Sequence, residues 1–113
     1  MSTTFPPDLL AAQLELHQTR AEYDALCRTL PWSVEPMDGW EDTDRWQPRR
    51  RPASPGYTAE QLAEVQRLHE RLRELSTVVS THPFWASLER EKVVEARMQL
   101  KHAHERDADD VAA

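Results

Sequence analysis

Both glycines of this chain, Gly39 and Gly56, and five of its eight prolines lie between positions 31 and 57. Proline and glycine punctuate regular structure, so the chain reads as periodic stretches on either side of one irregular connection. Pro6 and Pro7 stand before the first stretch, Pro31 closes it and Pro83 opens the last. Inside a helix a proline removes a donor and clashes with the preceding turn, whereas the first turn tolerates it. This punctuation predicts helices over residues 8–30, 58–81 and 83–105, with a 27-residue Trp/Pro-rich loop, 31–57, between the first two. The acidic tail 106–113 is expected to fray.

The apolar pattern supports each helix. Leu9, Ala12, Leu16, Thr19, Tyr23, Leu26 and Leu30 recur in steps of three and four, a heptad-like seam. A second stripe, Leu10, Leu14, Ala21 and Ala25, runs along another face of the same helix. Thr58-Ala59-Glu60-Gln61 has the form of a capping box, in which hydroxyl and amide each take one free backbone N–H. The seam that follows is Leu62, Val65, Leu68, Leu72, Leu75 and Val79, with charged residues such as Glu64, Arg67, Glu70 and Arg73 on the other side. The third helix also carries two faces: Trp85, Val93, Ala96, Leu100 and Ala103 on one, and Phe84, Leu88, Val94 and Met98 on the other. The short break around Ser80–Pro83 implies an antiparallel pair. The expected fold is therefore all-α: a single domain, 1–113, forming a three-helix bundle or a long helical hairpin. A helix with two apolar stripes usually has two things to pack against, and a slender bundle leaves the extra stripes exposed unless the Trp-bearing loop or a second chain covers them.

Composition narrows the function classes. With 20 acidic and 14 basic residues the net charge is −6, which opposes phosphate and disfavours general nucleic-acid binding. No stretch approaches the roughly 20 apolar residues of a membrane span, and Met1 to Pro7 lacks the basic start and apolar run of a secretory signal. Cys27 is the sole cysteine, so no disulfide can form within the chain. A cytoplasmic location is expected.

Trp32, Trp40 and Trp46 are spread through the loop, and a tryptophan is costly to leave bare among polar residues. They either fold back onto the helices or serve as anchors for a partner, as tryptophan often does at hot spots. Glu35, Asp38, Glu41, Asp42 and Asp44 precede Arg45 and the run Arg49-Arg50-Arg51. That run is either a solvated stretch with local pairing or a contact for phosphate or an acidic surface. Ser54, just after it, is a conceivable phosphorylation site. The partner-binding candidates are thus Trp32, Trp40, Trp46, Arg49, Arg50 and Arg51, with Leu10 and Leu14 on the second stripe of the first helix.

No catalytic set emerges. His102 and His104 are two apart on a helix, so they point apart, and neither a metal site nor a cofactor is expected. Cys27 reads as a small apolar residue on the seam. With two glycines there is no phosphate-cradling loop.

His82-Pro83-Phe84-Trp85-Ala86-Ser87-Leu88, continuing through Leu100-Lys101-His102-Ala103, resembles stretches of short, uncharacterised helical actinobacterial proteins. The absence of Asn and Ile and the excess of arginine over lysine fit such an origin. The resemblance implies helicity and no particular activity. Small secreted helical hairpins with a Trp-x-Gly turn are set aside because Gly39-Trp40 has the opposite order. Activators of peptide synthetases share Pro-Trp and Gly-Trp elements but place a three-stranded sheet before a helix.

The expected function is a non-enzymatic protein–protein interaction or accessory module whose partner is a protein, including a second copy of the chain. Two alternatives follow from the same residues. One is a small regulator touching nucleic acid or an acidic partner through Arg49–Arg51. The other is a helical enzyme binding a carboxylate ligand with Arg20, Arg28 and Arg97.

Overall fold

The computed structural model describes residues 3–44 and 46–105. The tail 106–113 and Arg45, both weighed above, lie outside the described residues. The elements in chain order are α1 (Pro7–Cys27), β1 (Trp40–Asp42), β2 (Arg49–Arg51), α2 (Ala59–Ser80), two 3-10 turns (Pro83–Ser87 and Arg90–Lys92) and α3 (Val93–Lys101). The chain forms two compact units, one from the described residues within Met1–Ala21 and Glu70–Ala113, the other from Glu22–His69.

The expectation of an all-α bundle or helical hairpin is corrected at two places. First, 31–57 is not a plain loop, because β1 and β2 pair antiparallel with Trp40 opposite Arg51, Glu41 opposite Arg50 and Asp42 opposite Arg49. The strands have no apolar alternation to reveal them. Two of the three cross-strand pairs are of opposite charge, which favours the pairing where like charges would not. Second, the third helical stretch is broken. Leu88 and Glu89 are extended (ψ 152 and 138), so only Val93–Lys101 forms an α-helix. Neither residue is a helix breaker. Packing overrides propensity here: the Trp85 indole N–H donates to Val79 O at 2.6 Å, and Ser87 Oγ donates to Phe84 O, which closes the turn before the break.

The other boundaries have local causes. Toward Pro31, α1 tightens into i→i+3 turns, with Thr29 N and Oγ1 both donating to Leu26 O at 2.9 and 2.8 Å. Leu30, the residue before Pro31, is disfavoured in the helical region, and the α-helix ends at Cys27, ahead of these turns. The capping box of α2 forms in both directions, with Thr58 N donating to Gln61 Oε1 at 2.8 Å and Gln61 N to Thr58 Oγ1 at 3.0 Å.

In the first unit the core comprises Phe5, Leu9, Trp85, Ala96 and Leu100, with Val79, Phe84, Leu88 and Val93 packed against it. Phe5 meets Phe84 and Trp85 edge to face, with centroids 5.5 and 6.5 Å apart. Thr3 N donates to Gln99 Oε1 at 2.8 Å, which ties the segment before α1 to α3. Leu75 is buried, and an Arg71–Glu15 ion pair joins α2 to α1. In the second unit Val65 and Leu68 are buried, His69 packs on Tyr23, and Arg67 pairs with both Glu22 and Glu64. Cys27 is exposed, off the seam on which it was expected.

One polar contact within the first unit gives a pH signature. His82 Nδ1 accepts from Phe84 N at 3.1 Å, so the ring proton sits on Nε2 and is donated to Asp8 Oδ2 at 2.9 Å. That hydrogen bond holds the Asp8 carboxyl below the ordinary aspartate value. A lowered carboxyl adds stability above its unfolded-state pKa, and that stability is lost as pH falls through the lowered value. The melting temperature of Asp8→Asn should therefore lie below that of the wild type at pH 6. The two should converge as pH drops below about 4. A gap that persisted at low pH would show that the carboxylate is not the source.

Candidate functional site

The hairpin holds six of the candidate residues. It extends beyond its two strands into longer arms, with Met37 and Ser54 bonded in both directions (3.0 and 2.8 Å) and Tyr57 N donating to Val34 O at 2.7 Å. Ser54 is buried between the arms, and its hydroxyl accepts from Gly56 N at 3.2 Å, so it is not offered to a kinase. Both glycines stand where the arms approach closely. A Cβ on Gly39 would lie 2.8 Å from Arg51 O, and one on Gly56 would lie 2.7 Å from Pro36 N.

Trp32 is half-buried and internal to the hairpin. Its indole N–H donates to Pro52 O at 2.9 Å, and the Arg51 guanidinium lies 5.3 Å above its ring. Trp40 is exposed on β1 opposite Arg51, and Trp46, between the strands, is 92% exposed. Thus one indole folds back and the other two stay out. The arginine run is partly neutralised across the ladder, since Arg49 faces Asp42 and Arg50 approaches Glu41 at 3.9 Å.

Leu10 and Leu14 belong to the first unit. They lie one turn apart on α1 and remain 37% and 45% exposed, while Leu9 on the adjacent face is fully buried. The helix periodicity makes this division: residues four apart share a face, and residues one apart do not. The same happens on α3, where Ala96 and Leu100 are buried while Val94 and Met98, again one turn apart, are 74% and 53% exposed. Ala21 and Ala25, the rest of the α1 stripe, are exposed as well.

A different group gathers around a cavity of about 650 Å³ in the first unit. Arg20 and Arg97, weighed above as ligands for a carboxylate, both line it; Arg28 is not among its described lining residues. His17, His102 and His104 line it too. Sequence spacing considered the last two only as a metal pair and missed that His104 stacks on His17, with centroids 3.8 Å apart. A histidine on each of two helices gives no local signal, because the stack depends on how the helices pack. Among the described residues there is no cluster of three or more His, Cys, Asp or Glu able to hold a metal ion. Nor is any described helix long and apolar enough to cross a membrane.

Residues 8–103 match the model of a domain of unknown function, DUF8825, and the chain belongs to that family. No curated protein and no solved structure matches it.

Proposed function

We propose that this member of the family is a non-enzymatic interaction module that pairs with a second copy of itself through the bare apolar faces of its helices. The observation behind this reading is that the first unit leaves two one-turn apolar pairs uncovered, Leu10/Leu14 on α1 and Val94/Met98 on α3. Single exposed apolar residues are ordinary, but i,i+4 pairs on two helices make the kind of stripe that helix partners cover. A second copy suits the α1 stripe because the stripe is self-complementary. Antiparallel pairing about its midpoint sets Leu10 against Ala25 and Leu14 against Ala21, large against small. A two-fold pairing of this kind closes on itself.

Sedimentation equilibrium tests the reading. The wild type should run at the mass of two chains at about 50 µM, and Leu14→Glu should shift it toward one chain, because a charge would be buried in the seam. A wild type that remains a single chain up to about 500 µM would remove it.

A second reading is favoured by Trp46. An indole this bare, on a hairpin flanked by Arg49–Arg51, has the composition of a protein hot spot for an acidic surface. The cross-strand carboxylates argue against nucleic acid as that partner. Binding through the run should weaken with salt. If replacing all three arginines by alanine left binding intact, the run would be only a solvated strand.

A further inference from the structure

The cavity of the first unit carries an inference independent of chain pairing. It gathers positive charge in a chain whose net charge is −6. Arg20, Arg97 and Lys101 line it, and among the described lining residues Glu105 is the only carboxylate. Among the described residues, Arg20 and Lys101 have no ion-pair partner. Glu105 is already engaged: His102 Nδ1 lies 3.1 Å from its carboxylate. The Glu105 carboxyl is held below the ordinary glutamate range, first by that hydrogen bond and further by the attraction of His102, His104 and His17. Cations gathered in a concave, partly apolar site focus their field on whatever enters it.

Arg97 is placed as a ligand would need it. Its guanidinium stacks 4.4 Å above the Trp85 ring, and one N–H reaches Ser80 O at 3.4 Å, near the end of α2. A guanidinium fixed by its face keeps its edge donors in a set plane, which matches the two oxygens of a carboxylate. Trp85 cannot swing away, because its indole N–H is held by Val79 O. Among the lining residues, His104 Nδ1 is buried without a hydrogen-bond partner. A buried polar atom of that kind is costly unless something supplies its bond. Leu16, Val79 and Leu100 also line it and give an apolar body something to lie against. The volume is in the range of small-molecule sites.

We propose that this cavity binds a small carboxylic acid with a flat apolar body, its carboxylate held by Arg97 and Arg20 and its body packed against Trp85, Leu16 and Leu100. The arginine pair alone would suit any anion; the apolar wall selects an organic acid over a bare oxyanion.

The test is a titration of the full chain with benzoate, its neutral counterpart benzamide, and inorganic phosphate, read by calorimetry and by the indole N–H resonance of Trp85. Benzoate should saturate below about 1 mM and move that resonance, and benzamide should bind at least about tenfold more weakly. Arg20→Gln and Arg97→Gln should each weaken benzoate about tenfold with unchanged helical circular dichroism. Arg97 also stacks on the core, so if its variant unfolds, Arg20→Gln decides. Failure of benzoate to saturate would overturn the proposal, as would equal binding of benzamide or wild-type affinity in Arg20→Gln. Phosphate binding as tightly as benzoate would overturn it as well, since the apolar wall would then play no part. The mass of the chain does not enter these outcomes, so they stand apart from those of the self-association test.

Discussion

Replacing Leu9 by alanine is expected to lower the unfolding free energy by about 3 kcal/mol, within the usual span for a buried leucine of roughly 2–5 kcal/mol. Leu9 is fully enclosed, with Phe5, Trp85, Ala96 and Leu100 in the same cluster. The cost has two parts, the lost transfer of the side chain and the cavity left behind. The second depends on whether neighbours can collapse into the hole. Here they are restrained: Trp85 is bonded to Val79 O and covered by Arg97, and Phe5 is held edge-on between Phe84 and Trp85. Little relaxation is available, so the cost should not fall to the bottom of the range. Leu10, one residue along, is the internal control. It lies on the open face, so Leu10→Ala should cost under about 1 kcal/mol. Urea unfolding followed by circular dichroism distinguishes them. Equal losses at the two positions would mean that α1 does not present the face described here to the core.

That face was readable in the sequence because it depends on a local rule. Three- and four-residue spacing alone put Leu9 and Leu10 on different sides of α1, and the same spacing put Ala96 and Leu100 apart from Val94 and Met98. The capping box at Thr58 was legible for the same reason, since all its atoms come from four consecutive residues. What the sequence hid is non-local. Phe5 lies before the first periodic residue, so no pattern marks it as core; the tether from Thr3 to Gln99 places it there. The break at Leu88–Glu89 contains no proline or glycine and follows from Trp85 reaching back to α2. The hairpin carries no apolar alternation, because two of its three cross-strand pairs, Glu41–Arg50 and Asp42–Arg49, are charged. The candidate residues fared unevenly for the same cause. Arg20 and Arg97 were named with Arg28 as possible ligands for a carboxylate, but only packing brings the His17–His104 stack and Trp85 to the same cavity.

The hairpin has its own decisive position. Gly56→Ala is expected to destabilise the second unit by about 3 kcal/mol, the upper end for a backbone forced into a disfavoured region. Two independent effects act there. Gly56 has φ +78, where an L side chain meets its own backbone. Its Cβ would also stand 2.7, 2.8 and 2.9 Å from Pro36 N, Val34 O and Glu35 C. These are backbone atoms, which no side-chain rotation can clear. The bond from Tyr57 N to Val34 O, one residue away, would have to lengthen as the arms part. Asparagine separates the two effects, because it tolerates positive φ yet carries a Cβ. If φ alone mattered, Gly56→Asn would be nearly neutral. The crowding around Pro36 predicts that it is damaging too, though less than alanine. Amide exchange gives the local readout: Met37, Ser54 and Tyr57 should lose protection in both variants, while Leu9 and Leu100 in the first unit keep theirs. An alanine variant that retained wild-type protection at Tyr57 would show that the arms do not meet at Gly56.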